Sequence, residues 1–113
     1  MYAGTLKSSK TINDNIFYWL FRDPNRSSNV PLVIWLNGGP GSTSMFGLFA
    51  ENGPLRVTRN GTGPNDFLVN WQDPTTTPGS WFDVADILYI DQPVGTGFSY
   101  GESLLTTMDQ AGD

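Results

Sequence analysis

The sequence predicts an α/β fold, in which helices pack on a β-sheet. Residues 32–36 form an apolar run rich in β-branched and aromatic side chains, which is typical of a strand buried on both faces. The run ends in the glycine-rich segment 37–41, and the apolar stretch 45–50 that follows is a short helical candidate. A second apolar run over residues 86–91 predicts another buried strand. Ligands of α/β proteins bind beyond the carboxyl ends of such strands.

The remaining elements follow from the same patterns of apolar and turn residues. At the N-terminus we predict an edge strand over residues 2–6 and a strand over 16–22 that forms a hairpin with it. The buried strands over 32–36 and 86–91 follow, and between them we predict a short extended piece over 55–58. Residues 8–15, 23–30, 60–70 and 92–101 are predicted to be turns or loops, and a helix is a candidate from Thr106. The sheet therefore has about four strands.

The glycine-rich turn has two interpretations. Its glycines adopt backbone conformations closed to other residues and let amide groups approach a ligand, which favours an anion or oxyanion cradle made of N–H groups. The alternative is a tight strand-to-helix turn that needs glycine for steric reasons only. A phosphate-binding loop is disfavoured, because no lysine follows at the required spacing. Ser42, Thr43 and Ser44 are each candidate helix caps.

Composition excludes several classes of function. The 113 residues suit one domain, and a net charge of -5 disfavours nucleic acid and anionic membrane surfaces as partners. No apolar run approaches the ~20 residues of a membrane span, and residues 1–10 lack the apolar core of a signal peptide. Without cysteine or histidine the chain offers neither a disulfide framework nor a Ser-His-Asp triad of its own. We expect no metal and no cofactor.

Four further polar residues have alternative interpretations. Ser99 stands in a G-x-S-x-G pattern, but its strand ends at Asp91 and no convincing helix follows, so a nucleophile elbow is disfavoured. Glu51 is either a solvated residue at a helix end or a carboxylate folded back towards the glycine turn, where a second acidic group nearby would make proton sharing possible. Asp91 and Gln92 either bind a ligand or satisfy backbone groups of the turn that follows them.

Several motifs together resemble one known family. They are YAG at residues 2–4, FYW at 17–19, PLVIWLNGGPG at 31–41, SM at 44–45, GL at 47–48, ENGP at 51–54 and LYIDQPVGTGFSYG at 88–101. In order and spacing the chain resembles the N-terminal part of the serine carboxypeptidases, an acid-active family with the α/β-hydrolase fold. The resemblance implies that residues 1–113 form a partial hydrolase domain, with a mixed sheet of about four strands and few helices.

The resemblance also implies a role for each of five residues. Asn37 and the N–H group of Gly38 would hold the C-terminal carboxylate of a peptide or protein substrate. The N–H group of Gly39 would be half of the oxyanion hole, and Trp35 would support this network. Glu51 would share a proton with a second glutamate beside the nucleophile. The implied reaction removes a C-terminal residue through an acyl-enzyme.

Two departures from the family pattern qualify this hypothesis. The family's nucleophilic serine, aspartate and histidine would lie beyond Asp113, so the chain alone is predicted to be inactive and to pair with the remainder of the hydrolase domain. Ser42 replaces a cysteine that commonly forms a disulfide in the family. The alternatives are a non-catalytic module that binds carboxylates or a partner protein, and an acyltransferase with the same fold and triad.

The resemblance implies a location in the secretory pathway, in a vacuole or lysosome, or outside the cell. Two glycosylation sequons, at Asn25 and Asn60, fall in predicted loops and are compatible with that location.

Overall fold

A computed structural model describes residues 1–8, 13–27, 29–61, 63–64, 66–73 and 78–102. Within these ranges the strands are β1 (Tyr2–Lys7), β2 (Asn15–Phe21), β3 (Leu32–Trp35), β4 (Leu55–Arg59), β5 (Phe67–Trp71) and β6 (Asp86–Ile90). The helical elements are a π-helical turn (Gly47–Glu51) between β3 and β4 and a 3-10 helix (Trp81–Asp83) between β5 and β6. None of the helices in these ranges has the length and apolar character needed to cross a membrane. The candidate helix from Thr106 lies outside the described residues.

Four of these strands form a mixed sheet in the order β1-β2-β6-β3. β2 is antiparallel to both β1 and β6, whereas β3 and β6 run parallel with Leu32 opposite Asp86. The four predicted sheet strands and the N-terminal hairpin are therefore confirmed, as is the mixed sheet with few helices. Because β3 and β6 are parallel neighbours, the turns that follow them start at the same end of the sheet. This pairing brings residues 37–44 next to residues 91–99.

The hydrophobic core covers one face of this sheet, which we call the inner face. Phe21, Ile87 and Tyr89 are fully buried there, and the Phe21 ring meets the Tyr89 ring edge-on with centroids 6.0 Å apart. The residues packed around them are Phe17, Trp19, Trp35, Met45, Leu48, Phe49, Leu55 and Phe82. The segment after β3 and the 3-10 helix thus lie over the inner face and hold the glycine turn against the sheet.

Burial also changes the chemistry of Tyr89. Its hydroxyl donates a hydrogen bond to Asn52 Oδ1 at 3.0 Å inside the core. Burial raises the pKa of the Tyr89 hydroxyl well above its ordinary value, and the positive charge of Arg56 offsets only part of that rise. Tyr89 is consequently a neutral hydrogen-bond donor that ties β6 to the segment after the π-helical turn.

The opposite face of the sheet, which we call the outer face, is apolar but uncovered by the described residues. Its exposed members are Tyr2, Leu6, Leu32 and Ile34, and its half-buried members are Ile16, Tyr18, Leu20, Leu88 and Ile90. The prediction that residues 32–36 are buried on both faces is wrong, because Leu32 and Ile34 are 58% and 57% exposed. Only the inner face of β3 is covered, and β3 lies at an edge of the described sheet.

A separate hairpin of β4 and β5 projects from the core. Leu55 lies opposite Trp71 and Arg59 lies opposite Phe67, and the Asn60 N–H group donates to the Asp66 carbonyl to close the turn. The prediction of a loop over residues 60–70 is wrong in its second half, because a run of good strand formers there pairs with β4. The extended piece over residues 55–58 is confirmed as part of β4.

Candidate active site

The side chain of Asn37 is fixed at the end of β3 by a neighbour two residues away. The indole N–H group of Trp35 donates a hydrogen bond to Asn37 Oδ1 at 2.7 Å. An indole N–H group only donates, so the amide oxygen must face it and the amide nitrogen must point elsewhere. Within the described residues nothing accepts a hydrogen bond from that nitrogen. Asn37 therefore presents a free N–H donor pair whose orientation Trp35 sets.

Gly47 makes room for this pair. A Cβ atom on Gly47 would lie 2.1 Å from Trp35 Nε1 and 2.9 Å from Asn37 Oδ1, so a side chain does not fit there without displacing them. On its other side the Trp35 ring meets the Trp81 ring edge-on, with centroids 5.4 Å apart. Gly47 was not among the predicted site residues, although a glycine within an apolar helical stretch indicates that another part of the chain packs closely against it.

We expect Gly47→Ala to break the Trp35–Asn37 hydrogen bond. Overpacking of this kind costs about 1–3 kcal/mol, which lowers the urea midpoint of the complete protein and changes its tryptophan fluorescence. Gly4→Ala is the matched control, because its Cβ would meet nothing closer than 3.4 Å. Equal midpoints and spectra for the two variants would contradict the assigned close packing.

A second set of hydrogen bonds closes the base of the glycine turn. The Asn37 N–H group donates to Ser44 Oγ at 3.1 Å, and Ser44 Oγ in turn donates to the Ile90 carbonyl at the end of β6. The Ser44 hydroxyl thus joins the two ends of the turn to each other and to the end of β6. Between these ends Gly39 has φ 141°, which side chains disfavour. Gly38 and Gly39 are exposed, and neither N–H group donates to another described residue.

A buried carboxylate anchors the same segment. Asp91 is fully buried, and its Oδ1 accepts hydrogen bonds from the Thr43 hydroxyl and the Ser44 N–H group, both at 2.7 Å. Its Oδ2 accepts from the Phe98 N–H group at 2.9 Å. Of the two interpretations of Asp91, the geometry therefore favours the one in which it satisfies backbone groups of adjoining turns. Gln92 acts similarly, since its Nε2 donates to the Asn37 carbonyl at 3.4 Å.

Ser99 is a structural residue in this arrangement. It is buried, and its hydroxyl donates to the Asp91 carbonyl at 2.6 Å and accepts from the Phe17 N–H group at 2.8 Å. Both hydrogen-bonding functions of the hydroxyl are thereby occupied by the backbone. The prediction that the G-x-S-x-G pattern is not a nucleophile elbow agrees with this geometry.

Glu51 occupies the end of the π-helical turn and is exposed. Its main-chain carbonyl accepts a hydrogen bond from Arg56 at 3.1 Å, and its carboxylate has no hydrogen-bond or ionic partner in the described part of the chain. The structure therefore brings Trp35, the last residue of β3, together with Asn37, Gly38 and Gly39, and Gly47 packs against Trp35 and Asn37. Their roles, and that of Glu51, stay predictions.

Comparison with known proteins yields one family. The model of the serine carboxypeptidase family matches residues 1–112. The pheromone-processing carboxypeptidase KEX1 of Ogataea parapolymorpha is 43% identical over 98% of this chain and 17% of its own length. The venom serine carboxypeptidase of Apis mellifera is 46% identical over 89% of this chain and 19% of its own length.

The fold agrees with the sequence comparisons. The crystal structure of KEX1, a prohormone-processing carboxypeptidase from Saccharomyces cerevisiae, matches with a TM-score of 0.66 and 38% identity, over 88% of this chain and 20% of that one. The chain thus spans about a fifth of the length of these relatives. Its mixed sheet corresponds to part of an α/β-hydrolase. On the match of sequence over nearly all its residues and of fold over most of them, the chain belongs to the serine carboxypeptidase family.

Proposed function

We propose that the protein is a serine-type carboxypeptidase and that the turn after β3 is the part of its active site that binds the substrate carboxylate and the oxyanion. The nucleophile and its base would come from outside these 113 residues, which contain no histidine. The hydrogen bond from Trp35 to Asn37 carries the proposal, because it orients an amide N–H pair that has no partner among the described residues at the exposed turn. The family match supports the reaction type.

The turn carries side-chain and main-chain N–H donors of the kind that this chemistry would use. The Asn37 amide and the Gly38 N–H group would donate to the C-terminal carboxylate of the substrate, and a hydrogen bond to a charged group contributes about 1.5–3 kcal/mol. The Gly39 N–H group would stabilise the oxyanion of the tetrahedral intermediate. Glu51 would share a proton with a second carboxyl group and so add a donor at acid pH. The reaction would release the C-terminal amino acid through an acyl-enzyme.

We expect Asn37→Ala in the complete protein to weaken recognition of the free carboxylate selectively. An N-blocked dipeptide and its C-terminal amide serve as paired substrates. The kcat/KM of the free acid divided by that of its amide should fall by about tenfold to a hundredfold in the variant. The reason is that the uncharged amide makes only weaker, neutral hydrogen bonds, so it loses less than the charged carboxylate does. The ratio does not depend on the fraction of active enzyme, so loss of folded protein alone leaves it unchanged.

Asn29→Ala is the matched control, since Asn29 is exposed in the loop before β3. An unchanged ratio in Asn37→Ala would overturn the assignment of the carboxylate site. Transfer of the acyl group to an added alcohol with no hydrolysis would instead support the acyltransferase alternative. Carboxylate binding without turnover in the complete protein would support a non-catalytic module.

We propose in addition that the protein acts in the secretory pathway, in a vacuole or lysosome, or outside the cell. The side chains of both sequon asparagines, Asn25 and Asn60, are exposed. The relative from Apis mellifera is named as a venom protein, which is compatible with export.

A further inference from the structure

We infer that Asp91 is a positioning residue for the carboxylate-binding turn, although it lies at the end of another strand and is buried away from any substrate. The inference rests on the proposed function of Asn37. The Asp91 carboxylate, acting through Thr43 and Ser44, sets where the Asn37 amide lies relative to the Gly39 N–H group.

Asp91 connects two turns. β6 ends at Ile90, and Asp91 follows it directly, beside the turn that leaves β3. One carboxylate oxygen accepts two hydrogen bonds from residues 43 and 44, and the other accepts one from the backbone of Phe98. A fully buried carboxylate with three donors is held tightly, because each hydrogen bond to a charged acceptor in a buried site is strong.

The restraint at Asp91 continues through Ser44 to the amide of Asn37. The Ser44 N–H group is bound to Asp91, and the Ser44 hydroxyl accepts from the Asn37 N–H group. Asn37 is also bound through its side chain to Trp35. Both ends of the turn are therefore hydrogen-bonded to the end of β6, Ser44 directly and Asn37 through Ser44. The position of the Asn37 amide thus depends on a carboxylate 47 residues from Ser44 in the sequence.

Asp91→Asn replaces one carboxylate oxygen with an N–H donor pair, which would face backbone or hydroxyl donors. The segment 43–44 or residue 98 must then move. Since displacements of about 1 Å at a reacting or binding group reduce rates strongly, we expect the effect to appear in carboxylate recognition and not only in stability.

The test uses the complete protein and the same pair of substrates, the free dipeptide and its amide. We expect Asp91→Asn to lower the ratio of their kcat/KM values by about tenfold. Thr43→Val, which removes one donor to Asp91 and keeps the side-chain shape, should lower the ratio by about threefold. Thr43→Ser keeps the hydroxyl and should restore the wild-type ratio.

Ser99→Ala is the control for a purely structural effect. It removes hydrogen bonds to the Asp91 carbonyl and the Phe17 N–H group but touches no atom of the turn after β3. We expect a lower Tm with an unchanged ratio. The Thr43 pair keeps the test decisive if Asp91→Asn does not fold.

Failure of this inference and failure of the proposed carboxylate site give different results. If Asn37→Ala lowers the ratio while Asp91→Asn and Thr43→Val leave it at the wild-type value, Asp91 is only structural and the inference is overturned. If Asn37→Ala itself leaves the ratio unchanged, the proposed carboxylate site is wrong, and the inference that depends on it is overturned as well.

Discussion

The purified 113-residue chain, mixed with an N-blocked dipeptide between about pH 4 and 7, is expected to release no C-terminal amino acid. Serine hydroxyls are weak nucleophiles unless an adjacent base removes their proton, and this chain contains no histidine. Ser99, which alone matches an elbow pattern, is buried with its hydroxyl bound to the backbone. Mass spectrometry of the released amino acid gives the readout.

The complete protein is the positive control for this experiment, and Ser99→Ala in the isolated chain is the decisive variant. Turnover by the isolated chain that persists through purification and disappears in Ser99→Ala would show that Ser99 is a nucleophile after all. Turnover that Ser99→Ala does not change would point to a different residue or to a contaminating enzyme, which repeated purification separates.

The second large effect concerns association of the isolated chain. We propose that the remainder of the hydrolase domain covers the outer face, and we expect the chain without it to associate in dilute buffer. Leu32 and Ile34 are more than half exposed on β3, whose far edge pairs with no other described strand. Burying one such side chain contributes about 1.5–3 kcal/mol, and an open apolar edge invites pairing with another chain. Sedimentation velocity at several concentrations measures the association.

Ile34→Lys should shift the isolated chain towards the monomer, because a charge on the outer face is costly to bury in a contact between chains. Val57→Lys is the matched control, since Val57 is 46% exposed on the β4–β5 hairpin, away from the outer face. A wild-type chain that sediments as a monomer and melts in one sharp transition would count against the proposal.

Several features of this protein were determined by local sequence. The apolar, aromatic and β-branched composition of residues 16–22, 32–36 and 86–91 was sufficient to locate three strands of the main sheet, because buried strands need contiguous apolar and β-branched residues. The glycine turn after β3 was equally visible, since Gly39 adopts a backbone conformation that few other residues tolerate. The motifs around these elements were specific enough to identify the family, which the comparisons confirm.

Local patterns were insufficient where the outcome depended on strand neighbours. An apolar run predicts that a strand is buried but not which of its faces is covered, so the exposure of Leu32 and Ile34 followed only from the packing of the described core on the opposite face. Strand β5 was missed because residues 60–66, which precede it, are dense in turn residues, and its pairing with β4 defines it.

The support of the candidate site was likewise decided by the tertiary structure. Asp91 and Ser44 are 47 residues apart, and only the parallel pairing of β3 with β6 places the carboxylate beside the turn. The requirement for glycine at position 47 arises from the approach of the Trp35 indole across the inner face. Backbone conformation and strand formation are governed by neighbours along the chain, whereas these contacts join residues that are close only after the sheet has formed.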